Sequence, residues 1–213
     1  MLQFITHAKS KQEIVEQVKT LLSGGCKWVQ LRMKNASKEE ITETAKELKE
    51  LCAEWEAIFI VDDWVDVAKE LELDGVHLGK NDMPVAEARM ELGDGAIIGA
   101  TANCYEDIEA LRGVDVDYIG LGPLRFTSTK EKLSPILGLD GYRAITEKMA
   151  DNGITIPTVA IGGITFDDIQ TVMDCGVNGV AVSGGIINSD NPIETTEKMI
   201  TLLNKIVDKR NNK

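Results

Sequence analysis

Short β-rich runs alternate with amphipathic stretches along the whole chain. The runs cover residues 2–6, 28–32, 58–61, 75–78, 97–101, 118–121, 158–161 and 179–183. Several, such as Ile58-Phe-Ile-Val61 and Thr158-Val-Ala-Ile161, are continuously apolar. Strands covered on both faces, as in parallel sheets, read this way. Between them, Ser37-Lys-Glu-Glu40 is a capping box that opens a helix through Ile41, Ala45, Leu48 and Leu51. Thr165-Phe-Asp-Asp168 opens another through Ile169, Val172 and Met173, with Gly176 placed to stop it. The final helix runs from about residue 192 through Ile200, Leu203 and Val207, leaving a frayed polar tail at residues 208–213.

No linker, low-complexity stretch or shift in composition interrupts this alternation. Eight β-then-α units predict one α/β domain over residues 1–213, a (β/α)8 TIM barrel at the small end of its size range. An open doubly wound sheet has the same periodicity, and the count of eight favours the barrel.

Composition narrows the function classes. The 213 residues are 43% hydrophobic and 27% charged, a balance that excludes a wholly disordered chain. No apolar run approaches the roughly 18 residues of a membrane span. The first residues lack the basic-then-apolar pattern of a signal peptide. A net charge of −12 argues against a nucleic-acid partner, which needs clustered Lys and Arg, but is compatible with a local basic pocket. Cys26, Cys52, Cys104 and Cys175 are scattered, so neither a zinc site nor a disulfide framework is expected, and a cytoplasmic location fits.

In such a barrel the polar residues just after each strand form the active site. Gln30, Arg32 and Lys34 alternate along strand two and would share its inner face, with Val29 and Leu31 turned to the helices. A solvated surface strand is the plain reading of such residues. A site for a multiply charged anion accounts better for two cations flanked by aliphatics. Asp63 and Asp82 follow neighbouring strands, and two carboxylates beside an anion site suggest Mg²⁺. Each also has a local explanation: Asp62 or Asp63 as cap of a helix starting near Trp64, Asp82 as a turn residue. Gly162-Gly163 and Ser183-Gly184-Gly185 end strands seven and eight, where backbone N–H groups often bind phosphate. The long connection over residues 123–138 carries Thr127, Ser128, Thr129 and Lys130, a phosphate cradle on a closing lid or a solvated excursion. His77 reads as a packed core histidine and His7 as a strand-end residue. Without a nucleophile elbow, a hydrolytic triad is poorly supported.

These residues in this order resemble the thiamine phosphate synthase family over nearly the whole chain. The resemblance is carried by Gln30-Leu-Arg-Met-Lys34, Asp62-Asp-Trp-Val-Asp-Val-Ala68, Asp74-Gly-Val-His-Leu-Gly79 with Asp82, Gly122-Pro with Thr127-Ser-Thr-Lys130, and Ala160-Ile-Gly-Gly163. It implies a barrel transferase joining hydroxymethylpyrimidine diphosphate to a thiazole phosphate. The implied chemistry is dissociative, with pyrophosphate leaving first. By the same resemblance, Gln30, Arg32, Lys34, Asp62, Thr101 and Lys130 hold the pyrimidine diphosphate, with Arg32, Lys34 and Lys130 stabilising the leaving charge. Asp63 and Asp82 bind Mg²⁺. Thr127, Ser128 and Thr129, with Gly163, Ser183 and Gly184, hold the thiazole phosphate. The chain departs from the family pattern at Asp62 (commonly Asn), Lys80 (commonly Gln) and Ser183-Gly-Gly185 (commonly aliphatic–Ser–Ala). Rival readings are a thiazole tautomerase on the same barrel, which has no need of the diphosphate and metal set, and a non-catalytic barrel binding a phosphorylated ligand. A Schiff-base aldolase would need a desolvated lysine. The expected partners are small phosphorylated substrates, with homo-oligomerisation open.

Overall fold

The apolar runs fold as the eight strands of a closed parallel barrel. A computed structural model of the protein describes residues 1–8, 10–126 and 135–212. Strands β1 (Leu2–Ile5), β2 (Trp28–Leu31), β3 (Ile58–Asp62), β4 (Gly75–Leu78), β5 (Ile97–Ala102), β6 (Tyr118–Leu121), β7 (Thr158–Ile161) and β8 (Gly179–Val182) pair in sequence order. The β1–β8 pairing, with Leu2 opposite Val180 and Phe4 opposite Val182, closes the ring and excludes the open sheet.

Helices α1 (Lys11–Ser23), α2 (Lys38–Glu54), α3 (Val65–Glu70), α4 (Val85–Leu92), α5 (Tyr105–Glu109), α6 (Gly138–Asp151) and α7 (Ile169–Met173) follow the first seven strands. Helices α8 (Gly184–Ile187) and α9 (Pro192–Asn211) follow β8. The capping box at Ser37 is present, with Glu40 N–H donating to Ser37 Oγ at 3.3 Å and Ser37 N–H to Glu40 Oε2 at 2.8 Å. Thr165 and Asp168 form a second box, which opens a 3-10 turn over Phe166–Asp168 ahead of α7.

Two departures from the expected elements matter. The Gly184-Gly185 segment, read as the glycine-rich end of strand eight, is the start of the short extra helix α8. Residues 208–211, expected to fray, continue α9, because the Arg210 guanidinium donates to the carbonyls of Met173 and Val177 and ties the last turn to the barrel.

Strand alternation divides the core in two. Val29, Leu31, Ile98, Ala100, Ile119 and Leu121 point outward into the layer between sheet and helices. Ile5, Trp28, Ile60, Tyr118, Val159 and Ala181 point inward and plug the barrel. This alternation carries Gln30 and Arg32 to the inner face above Trp28. On α6, the buried Tyr142 hydroxyl lies 2.8 Å from the Leu121 carbonyl and 3.0 Å from that of Ile161, fixing the ends of β6 and β7 at the mouth.

Candidate active site

At the end of β2, Arg32 Nε sits 3.0 Å from Asp62 Oδ2 at the end of β3. Both side chains are mostly buried, at 19% and 16% exposure, so the pair is shielded from the screening that weakens surface ion pairs. Gln30, beneath it, is 1% exposed, and its Nε2 is a buried donor with no hydrogen-bond partner among the described residues. A buried amide left this way is costly unless something completes it. Lys34 lies just beyond the strand, half-buried.

Asp63 departs from β3 in the left-handed region, with φ 67°. Aspartate tolerates that conformation better than most residues, and here it is fixed by the Asp63 N–H donating to the His77 carbonyl at 2.9 Å. The Asp63 carboxyl stands near those of Asp62 and Asp82, whose charges both act on it. Neither Asp62 nor Asp63 caps α3, whose N-terminus has no side-chain cap. Asp82 does close its turn: its Oδ2 accepts from the Gly79 N–H at 2.7 Å. Loss of hydration, then the Asp62 and Asp82 carboxylates, push the Asp63 carboxyl up to about 8, with Arg32 pulling the other way. Asp63 keeps contact with solvent, so we give the crowding of carboxylates more weight than burial. The Asp63 carboxyl therefore holds its proton near neutral pH.

A cavity of about 440 Å³ opens on the other side of the mouth. Its walls include Arg32, Gly163, Ser183 and Gly184, so four of the predicted residues converge there. Gly162 and Gly163 have φ 98° and 74°, which explains the paired glycines after β7. Ser183 Oγ is buried and has no hydrogen-bond partner among the described residues. Gly185 is required by space, because a Cβ there would lie 2.1 Å from the Ile164 carbonyl oxygen. Gly185→Ala should therefore displace α8 and destabilise the fold by about 1–3 kcal/mol, measured by denaturant unfolding; an unchanged midpoint would contradict this packing.

Thr101 stands at the end of β5 on the inner face, with its hydroxyl 2.9 Å from His77 Nε2. Thr101, Asp63, Asp82 and Lys34 are not on the cavity wall. Thr127, Ser128, Thr129 and Lys130 lie outside the described residues. Four polar wall residues, Thr6, His7, Thr165 and Asn188, were not expected in the site. His7 was read only as a strand end, and Asn188, just past α8, follows a helix that the glycines concealed.

Comparison with known proteins decides the family. A family model described as thiamine monophosphate synthase matches residues 2–186. The thiamine-phosphate synthase of Bacteroides fragilis is 52% identical over 201 residues, covering 94% of this chain and 98% of the relative. That of Methanococcus maripaludis is 37% identical over 193 residues, covering 91% and 90%. The chain belongs to the thiamine-phosphate synthase family. Among solved structures, the thiamine phosphate pyrophosphorylase of Pyrococcus furiosus superposes with a TM-score of 0.82 at 35% identity, covering 96% of each chain.

Within the thiamine-phosphate synthase family, this chain's departures acquire local explanations. Asp62 is the ion-pair partner of Arg32. Lys80 pairs with Asp107, whose Oδ2 also accepts from the N–H groups of Asn103 and Cys104, so the lysine joins the β4 and β5 ends. Gly185 meets the Ile164 carbonyl too closely for alanine.

Proposed function

We infer that the protein is a thiamine-phosphate synthase. It joins 4-amino-5-hydroxymethyl-2-methylpyrimidine diphosphate to 4-methyl-5-(2-hydroxyethyl)thiazole phosphate, giving thiamine phosphate and pyrophosphate. The observation that carries this reading is the juxtaposition of Arg32, at the diphosphate side, with the glycine-walled cavity at the ends of β7 and β8. One mouth thus offers places for two phosphorylated substrates.

In this reading Gln30, Arg32, Lys34 and Lys130 hold the diphosphate, and Asp62 and Thr101 complete the pyrimidine pocket. Gly163, Ser183 and Gly184, with Thr127, Ser128 and Thr129, hold the thiazole phosphate, whose oxygens would satisfy the unpartnered Ser183 hydroxyl. The bond between the pyrimidine methylene carbon and the diphosphate oxygen breaks, and its electron pair leaves with pyrophosphate. The thiazole nitrogen then donates its lone pair to the methylene cation. Such chemistry asks the protein for charge stabilisation and positioning rather than a nucleophile.

The carboxylates fit a hard divalent cation. Asp63 follows β3 and Asp82 closes the turn after β4, near enough for the Asp82 charge to act on Asp63, and no cluster of three or more acidic, His or Cys ligands stands among the described residues. A pair suits Mg²⁺, which takes one or two carboxylates and completes its shell with water and substrate phosphate. When bound, it would neutralise charge on the diphosphate. Because Asp63 is pushed up to about 8, the metal must displace a proton below that pH. Apparent Mg²⁺ affinity should fall roughly tenfold per unit from pH 7.5 to 6, with one proton released on binding, both read by calorimetry in buffers of different ionisation enthalpy. A pH-independent affinity would remove Asp63 from the metal site. Gly79→Ala is a second check: its Cβ would lie 2.6 Å from Asp82 Oδ2, so the carboxylate must move. Mg²⁺ affinity should weaken by about 10–100-fold while the fold survives.

The functional test is Mg²⁺-dependent formation of thiamine phosphate from the two substrates, followed by mass. Isomerisation of a thiazole precursor without joining would favour the tautomerase. Binding without turnover would favour a regulatory barrel.

A further inference from the structure

A chain of buried polar groups climbs through the barrel interior to the mouth. Gln3 Nε2 donates to Tyr118 Oη at 3.0 Å. Tyr118 Oη lies 2.9 Å from His77 Nδ1, and His77 Nε2 lies 2.9 Å from Thr101 Oγ1. Gln3, Tyr118 and His77 are 2%, 3% and 7% exposed, whereas Thr101 is half-buried at the mouth. Polar residues in a barrel plug that aliphatics would fill more cheaply ask for a reason.

The neighbouring strands make room for this chain. A Cβ on Gly99 would lie 2.2 Å from Tyr118 Cζ, and one on Gly120 would lie 2.9 Å from His77 Cε1. Both glycines belong to strands whose other inward positions carry side chains, and both have ordinary strand backbone. Their reason is the space taken by the two rings. Trp28 packs edge-on against Tyr118 with ring centroids 4.8 Å apart, holding the phenol in place.

One arrangement of donors and acceptors uses each hydrogen of the chain once. A phenol has one hydrogen to give, and burial pushes the Tyr118 phenol well above its ordinary value, so it keeps that hydrogen. With the Gln3 amide donating to its oxygen, Tyr118 O–H donates to His77 Nδ1. A neutral imidazole accepting at Nδ1 carries its hydrogen on Nε2. In that arrangement the N–H donates to Thr101 Oγ1, which leaves the Thr101 hydroxyl hydrogen available to the mouth.

We propose that Gln3, Tyr118 and His77 are positioning residues that fix the Thr101 hydroxyl as a hydrogen-bond donor into the mouth, selecting a substrate that offers an acceptor atom there. Resting on the synthase reading, that acceptor belongs to the pyrimidine ring rather than to either phosphate. None of the three need touch substrate. A site built to donate one hydrogen bond discriminates strongly against a ligand that cannot accept it, because the donor would be left unpaired.

Two measurements test this. The first uses the wild-type protein alone, labelled with ¹⁵N at histidine, and reads the His77 tautomer by NMR without substrate or turnover. Hydrogen on Nε2 is expected; hydrogen on Nδ1, or on both nitrogens, overturns the proposed direction. The second is a kinetic cycle of Tyr118→Phe, Thr101→Val and the double variant. Tyr118→Phe keeps the ring against Trp28 and should raise KM for the pyrimidine diphosphate about tenfold, leaving KM for the thiazole phosphate unchanged. In the Thr101→Val background the same substitution should have no further effect on that KM, because its route to substrate is gone. Equal effects on both KM values, or additive losses in the double variant, would mean that Tyr118 is only structural and would overturn the proposal. Failure of wild-type turnover refutes the synthase reading instead, and it is seen in a different experiment from the tautomer.

Discussion

Asp63→Asn should abolish most of the turnover, lowering kcat/KM by about 10²–10³-fold, while the metal-free protein stays as stable as the wild type or becomes more so. The two effects have opposite signs for one reason. Loss of hydration, together with the neighbouring Asp62 and Asp82 carboxylates, pushes the Asp63 carboxyl up to about 8. Replacing it with a neutral amide relieves like-charge repulsion in the empty protein and removes the negative charge that a metal–diphosphate pair would need. Asparagine is the informative substitution because residue 63 sits at φ 67°, which Asn tolerates and a larger apolar residue would not. The check is a pair of measurements on one preparation, kcat/KM and a denaturant midpoint. Wild-type activity would remove Asp63 from the chemistry. A collapsed midpoint would mean that its contribution is to the fold.

The second large effect concerns Arg32. Arg32→Ala should raise KM for the pyrimidine diphosphate by about 10²-fold, because it removes a forked donor for phosphate. It also strips the cation that pairs with Asp62 and offsets the charge around Asp63. Asp62→Asn alone frees Arg32 from its ion pair at 3.0 Å and should leave that KM within a few-fold of wild type. The double variant should recover part of the Arg32→Ala loss, since it also removes the negative charge that Arg32 balances. A coupling of about 0.5–3 kcal/mol in this cycle would place the two residues in one unit. Strict additivity would show that the pair has no bearing on diphosphate binding.

The strand positions were legible because a parallel barrel buries both faces of each strand, so runs such as Ile58-Phe-Ile-Val61 stand out from their amphipathic surroundings. The inward set Gln30 and Arg32 followed from simple alternation. What the sequence concealed depends on three-dimensional register or on backbone that side chains do not announce. Helix α8 begins with two glycines, whose composition says turn, yet Gly185 is there because Ile164 leaves no room for a Cβ. Arg210 looked like part of a polar tail because its partners, the carbonyls of Met173 and Val177, are far away in sequence. His77 is buried as expected, but its part in a polar chain depends on Tyr118 and Thr101 from two other strands. The pairing of Asp62 with Arg32 likewise exists only because β2 and β3 are neighbours in the sheet.

The most direct test of the synthase assignment is a product balance. Purified protein is mixed with both phosphorylated substrates and Mg²⁺, and thiamine phosphate and pyrophosphate are quantified in the same quenched samples. The account predicts the two products in equal amounts, and neither when one substrate or Mg²⁺ is left out. Folded protein that binds the thiazole phosphate but releases no pyrophosphate and forms no thiamine phosphate would contradict it.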